Sequence, residues 1–277
     1  MPLPDPSLEP AIRDPKKLRN TALILVAIML LGGVLILLRY KHLAAEAERK
    51  AYENFAQEQK SSLNDASREN RPAYIYRITP ERDLRVLRQD GQIANLVDLR
   101  GKLIAVNVMS LRDPQAAQRS LEVMKRLAAA RAETADLALV TLIVDPIPSE
   151  KLRSVLEETA AANGMRLPQW WLGSNEPKTL HKFIKNELKA TTYPNELSGK
   201  WDYDASIVLI DKNGHIRRAV VPQKQGGDPF VATFDFDQAA AWDAKGAKTG
   251  TEHSNVEQLE ILLNRTIDKL LAEPFKN

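Results

Sequence analysis

The 277-residue chain contains no cysteine. That absence excludes disulfides, iron–sulfur clusters, thiolate zinc sites and cysteine nucleophiles. It also lacks an excess of charge of either sign. The 39 Lys and Arg against 36 Asp and Glu give a formal net charge of +3, spread along the chain, so no basic surface for nucleic acid is implied. G-x-S-x-G, P-loop and dinucleotide-binding glycine signatures are all missing, which leaves hydrolase and nucleotide readings without support. His42, His181, His215 and His253 are scattered without the spacing of paired metal ligands, and all four read as surface residues. No internal repeat or low-complexity tract occurs.

An apolar fraction of 44% is ample for a packed core. The run Thr21 to Leu38, TALILVAIMLLGGVLILL, carries no charge, and as a helix it spans about 27 Å, close to a bilayer core. Lys16, Lys17 and Arg19 flank one end; Arg39, Tyr40 and Lys41 flank the other. The run is longer than the apolar region of most cleaved signal peptides and than an ordinary buried helix. It predicts a transmembrane helix at 21–38, after a tail at 1–20, with the lipid bilayer as its partner. Basic residues are about equal at the two ends, so charge bias sets no orientation. A short N-terminus before a long domain predicts a signal anchor whose C-terminal part is translocated, to the periplasm or an intermembrane space. Residues 39–72 form a polar stalk, helical from His42 to Ala66, where Ala, Glu, Lys and Gln dominate without Pro or Gly.

From residue 73 to 277 strand-like and helix-like segments alternate. Leu103 to Met109 and Leu137 to Val144 are buried-strand candidates. Between them Asp113-Pro114 signals a helix start, with Asp113 as cap, and Leu121, Met124 and Leu127 supply one apolar face. This is the crossover unit of a parallel sheet. Ser149 is expected to cap a helix to about Ala162, and Glu176 to Leu188 forms another. Trp170 and Trp171 read as sheet core. Ser206 to Asp211 and His215 to Val221 flank a turn in which Asn213-Gly214 supplies positive φ angles, and Val256 to Leu271 is an amphipathic helix. The order β-α-β-α-α-β-β-α predicts an α/β fold with a mixed sheet flanked by helices.

Several phrases resemble the Sco/SenC family, membrane-anchored thioredoxin-fold proteins that deliver copper to cytochrome oxidase. They are Asn95-Leu96-Val97-Asp98-Leu99-Arg100-Gly101-Lys102, Val144-Asp145-Pro146, Trp171-Leu172-Gly173-Ser174, and Leu209-Ile210-Asp211 with Asn213-Gly214. The match spans most of Asn95 to Leu271. The resemblance implies a thioredoxin-like fold. It also implies a C-P-x-x-C motif and a histidine as copper ligands, and at those positions this chain has Asp113, Ala117 and Tyr203. Cu(I) needs soft thiolate, thioether or imidazole donors, so the expectation is a degenerate member with no cofactor, no metal and no thiol-redox activity.

Two further candidates arise from the residues themselves. Asp202, Asp204, Asp211 and Asp145 form a candidate hard-cation cluster around Tyr203, to be weighed against the ordinary role of carboxylates in turns. The stretch 222–249 reads as a long loop with aromatic residues, and Phe230, Phe234 and Trp242 are candidate partner anchors. The function that the resemblance implies is that of a non-enzymatic assembly or interaction factor for a respiratory oxidase, with a membrane-protein partner. The alternatives are an enzyme of unrecognised type using the surroundings of Asp113 and Tyr203, or a structural subunit of a membrane complex.

Overall fold

The computed structural model describes residues 15–190, 192–195, 200–222, 228–247 and 252–275. The elements in chain order are α1 (Pro15–Arg68), β1 (Ala73–Arg77), β2 (Arg85–Arg88), β3 (Ile93–Asn95), β4 (Leu103–Met109), α2 (Gln118–Ala130), β5 (Leu137–Ile143), α3 (Ser149–Asn163), β6 (Trp170–Ser174), α4 (Pro177–Asn186), β7 (Thr192–Asn195), β8 (Lys200–Tyr203), β9 (Val208–Ile210), β10 (His215–Val221), β11 (Phe230–Ala232), α5 (Phe236–Ala244) and α6 (Asn255–Ala272).

The chain divides into two units, Met1–Lys60 and Ser61–Asn277. In the first, α1 runs through the apolar segment and most of the polar one. Leu25, Met29 to Leu31 and Val34 to Leu38 are 55–71% exposed, and Glu46–Lys50 and Arg49–Glu53 form i,i+4 ion pairs. Among the described residues no helix is long and apolar enough to cross a membrane. Of the span expected at 21–38, the side chains of 21–24 and 26–28 lie outside the described residues, as do residues 1–14 of the expected tail.

The second unit is built on one sheet, ordered β1-β10-β9-β4-β5-β6-β2-β3, with β11 added to β10. β4 and β5 run parallel and in register from Leu103 opposite Leu137 to Met109 opposite Ile143, and β6 continues the parallel set. β9 joins β4 antiparallel, and β10 turns back upon β9. Two parallel crossovers followed by an antiparallel hairpin, with helices on both faces, make a thioredoxin-like mixed α/β fold. Every residue of β4 and β5 is buried, as parallel strands covered on both faces require. Alternate side chains therefore enter different cores. Leu103, Ala105, Leu139 and Ile143 pack with Leu121, Met124, Leu156, Leu263 and Ile267 of the helices. Ile104, Val106, Val140 and Leu142 pack on the other face with Leu180, Phe183 and Ile184 of α4. Trp170 and Trp171 are both core, and the Trp170 indole donates to Thr141 at 3.0 Å.

Several local expectations change. Ser149 is the first residue of α3, not its cap; Pro148 holds the cap position and no side chain caps it. In the β9–β10 turn Gly214 alone takes positive φ, +85°, and Asn213 does not. The turn is instead held by Asp211, whose Oδ1 accepts the amides of Asn213 and His215, both at 2.9 Å. A Cβ on Gly214 would lie 3.2 Å from the Ile78 carbonyl oxygen. Residues 222–249 are not one long loop, since they include β11 and α5, the latter capped by Asp235; residues 223–227 lie outside the described residues.

Arg217 of β10 has no exposed surface. Its guanidinium donates to Asp211 at 2.8 Å, to both oxygens of Glu273 at 2.6 and 2.8 Å, and to the Pro72 carbonyl at 3.0 Å. It also lies over the Tyr74 ring, 3.8 Å from its centroid. Burial works against its charge, yet the bonds from Glu273 and Asp211 more than offset that, and its pKa is raised. One side chain thus ties the segment after α1, the hairpin turn and the end of α6. Removing one member of a buried ion pair strands the others, so Arg217→Ala should cost about 3–5 kcal/mol in urea unfolding of the full chain. A cost below about 1 kcal/mol, the level of an exposed pair, would show the tie to be incidental.

Candidate functional site

The parallel register that aligns Met109 with Ile143 brings the residue after Met109 beside the second residue after Ile143. These are Ser110, fully buried, and Asp145, 3% exposed. The Ser110 hydroxyl donates to Asp145 Oδ1 at 2.8 Å, and the Leu111 amide donates to Oδ2 of the same carboxylate. Ser110 Oγ in turn accepts the amides of Arg112 at 3.2 Å and Asp113 at 3.3 Å. The Arg112 guanidinium, half exposed, sits 3.9 Å from Asp145. These bonds fix the loop that leads through a 3-10 turn, Pro114–Ala117, into α2.

Tyr203, the last residue of β8, closes this loop from the other side. Its hydroxyl accepts the Ser110 amide at 3.0 Å and donates to the Asp113 carbonyl at 3.2 Å. The ring is partly buried and packs against both cores. Burial is the main reason its phenol is pushed up to about 12, with the nearby carboxylates of Asp113, Asp145 and Asp237 adding to the rise and the Ser110 amide opposing it. At neutral pH the group is a neutral phenol with both roles of its hydroxyl in use.

Tyr203 is therefore joined to the backbone of Asp113, and Ala117 is buried at the end of the 3-10 turn. The expectation that the Asp113 carboxylate caps the helix is corrected: its side chain makes no capping hydrogen bond, and its φ, ψ of −138°, 68° begins a 3-10 turn instead of an α-helix. The candidate cation cluster does not assemble. Asp145 is bound to Ser110 and Leu111, Asp204 accepts the Ser206 amide at 2.8 Å, and Asp211 holds the turn at the opposite end of the sheet. The Asp202 side chain lies outside the described residues. Among the described residues no group of three or more His, Asp or Glu is placed to hold a metal.

No family model matches the chain, and no curated protein sequence does. Solved structures similar to this chain include Sco/SenC-family proteins. A SCO1/SenC family lipoprotein from Bacillus anthracis is 18% identical, with a TM-score of 0.45 over 68% of this chain and 92% of that one. ScoI of Arabidopsis thaliana with copper bound is 14% identical, with a TM-score of 0.44 over 68% and 97%. ScoI of Bradyrhizobium japonicum with copper bound is 17% identical, with a TM-score of 0.41 over 66% and 96%.

Asp113, Ala117 and Tyr203 do not fit copper: a carboxylate, a methyl group and a neutral phenol are not soft donors, and the phenol oxygen already serves two backbone groups. Among the partner anchors, Phe234 is corrected. It is 2% exposed and belongs to the helix-side core with Phe236, whereas Phe230 and Trp242 are about half exposed. His181 is likewise buried, not superficial. Its Nε2 lies 3.1 Å from the Val144 carbonyl, and burial lowers its pKa. Sequence reasoning missed Ser110, for which the only signal was a hydroxyl immediately after an all-apolar strand.

Tyr203→Phe should keep the ring packing while leaving the Ser110 amide and Asp113 carbonyl unpaired, at a cost of about 1–3 kcal/mol in chemical denaturation. No measurable loss would mean that water serves these groups equally well. A pKa raised in the folded state also has a defined sign. Stability from the neutral phenol is complete below pH 10, where both states hold the proton, and declines as pH rises from about 10 towards about 12 because the unfolded chain ionises first. Absorbance titration should therefore find one of the six tyrosines ionising near the upper end of that window, and Tyr203→Phe should remove it. Phe234→Ala should cost about 3–5 kcal/mol, as expected for a buried aromatic; Phe230→Ala and Trp242→Ala should stay near 1 kcal/mol or less.

Proposed function

We propose that the chain is a membrane-tethered, Sco-like domain without copper or thiol-redox activity, serving as an assembly or interaction factor for a respiratory oxidase. The observation that supports the loss of metal chemistry is the Tyr203 hydroxyl, which is taken up by the Ser110 amide and the Asp113 carbonyl beside the residues that the resemblance assigns to the ligand positions. Tethering is supported by the uncharged run at 21–38 and by the exposed apolar side chains on the part of it that is described. A helix that leaves apolar residues uncovered all round needs lipid or protein about it. The domain is then on the translocated side, periplasmic or in an intermembrane space. The oxidase setting comes from the sequence phrases between Asn95 and Leu271 and from nothing in the site, because fold does not fix function.

An enzymatic role for Asp113 and Tyr203 has less support. A phenol pushed up to about 12 is badly matched to proton transfer at neutral pH, and its hydroxyl is occupied.

The test has two arms. The full chain, purified from detergent-solubilised membranes, should carry respiratory-oxidase subunits with it and retain no Cu(I) against a competing chelator. The triple variant Asp113→Cys, Ala117→Cys, Tyr203→His restores soft donors at the three positions and should acquire Cu(I). Copper retained by the unaltered chain, or an absence of oxidase subunits, would overturn the proposal. A folded triple variant that binds no Cu(I) would show that the three positions do not correspond to a ligand set.

A further inference from the structure

The helix α4 packs on the sheet through Leu180, Phe183 and Ile184, an apolar set that does not titrate. Its first half also meets the end of the sheet through a polar contact. His181 is 9% exposed, and its Nε2 lies 3.1 Å from the Val144 carbonyl. A carbonyl only accepts, so Nε2 carries the proton in the neutral ring and Nδ1 is the acceptor. The strand ends around this contact are tied to one another. The Val144 amide donates to the Met109 carbonyl at 3.1 Å, and the Ser174 hydroxyl donates to the Ile143 carbonyl at 2.9 Å. Of these three bonds, the one from His181 joins a helix to the strands, and its donor titrates near neutral pH.

A second proton puts a full charge on a buried ring. Two carboxylates face it, Asp145 after β5 and Glu176 before α4, and both favour the charged form. Both are already committed. Asp145 accepts the Ser110 hydroxyl and the Leu111 amide, with the Arg112 guanidinium 3.9 Å away. Glu176 caps α4, accepting the amides of Lys178 at 3.2 Å and Thr179 at 2.9 Å and the Thr179 hydroxyl at 3.0 Å. The cations of α4 itself, Lys178, Lys182 and Lys185, lie on its exposed side. Burial outweighs the two carboxylates and holds the imidazole below its usual 6.5.

We propose that His181 is an acid-released latch between the first half of α4 and the carboxyl end of β5. The neutral ring seats the helix on the Val144 carbonyl, and the protonated ring is better accommodated when the helix lifts and water reaches it. The direction follows from linkage. A histidine whose folded value is depressed contributes stability that is complete above the unfolded value of 6.5 and is lost as pH falls through the folded value. Mild acid therefore opens the first half of α4 while β4 and β5 stay closed. The inference does not depend on the oxidase reading.

The test uses the full chain in non-ionic detergent, with carbon-13 in the histidine rings, titrated by NMR between about pH 8 and about pH 5. The ring signal that His181→Gln removes should have its midpoint below 6.5. Glu176→Gln, which takes away a facing negative charge, should lower that midpoint further. Hydrogen exchange over Leu180 to Ile184, corrected for the intrinsic effect of pH on exchange, should lose about threefold or more of its protection between about pH 7.5 and about pH 5.5. Val106 and Val108 should keep theirs. Glutamine at position 181 retains a donor for the Val144 carbonyl and does not titrate, so in His181→Gln the loss should disappear. The proposal is overturned by a midpoint at or above 6.5, by protection over α4 that does not change with pH, or by an equal loss in His181→Gln. If His181→Gln does not fold, the ring is assigned by its contact with Val144, and the midpoint and its response to Glu176→Gln decide.

Discussion

Two adjacent parallel strands, β4 and β5, are buried along their whole length. With both faces covered, the polar groups emerging at their carboxyl ends meet little water and must be satisfied by the protein itself. Ser110 and Asp145 bond to each other and to the loop amides, and the Tyr203 hydroxyl takes the remaining amide and a carbonyl. The same end of a parallel sheet is where α/β folds commonly place ligands, because chain ends and helix starts converge there. Here that convergence is consumed by internal hydrogen bonds. Around Ser110 and Tyr203 this end of the sheet is a structural joint.

Arg217 places a similar demand at the other end of the sheet. A charge with no exposure is tolerated because Asp211, Glu273 and the Pro72 carbonyl surround it. Two of those partners lie at the extremities of the domain's sequence, so both margins are held through one guanidinium. Such an arrangement adds less net stability than an apolar core of equal volume, but it is unforgiving of losing one member.

The sequence made the centre of this fold legible and left the margins obscure. Leu103 to Met109 and Leu137 to Ile143 were readable because doubly covered strands are apolar without interruption. The strands β2, β3 and β11 have three or four residues, too few for an alternating pattern to register, which is why β11 read as loop. At the site, Asp113-Pro114 correctly marked the beginning of helical structure but suggested the wrong agent. The amides of Arg112 and Asp113 are taken by Ser110 Oγ, a role that depends on the loop folding back and leaves no mark in residue order. The hydrogen bond from Tyr203 to the Asp113 carbonyl joins residues 90 positions apart and leaves no local mark in the sequence. Arg217 gave no signal, because an arginine in a hairpin strand ordinarily faces water.

The Tyr203 hydroxyl is a structural bond to the loop at the end of β4, and amide hydrogen exchange at Ser110 tests this most directly. The amide should exchange slowly in the unaltered chain. In Tyr203→Phe its exchange should be at least about tenfold faster, the change expected when a local opening becomes easier by roughly 1.4 kcal/mol, while Val106 and Val108 within β4 keep their protection. Equal exchange at Ser110 in the two proteins would show that the amide does not depend on the phenol and that the Tyr203 hydroxyl does not hold this loop.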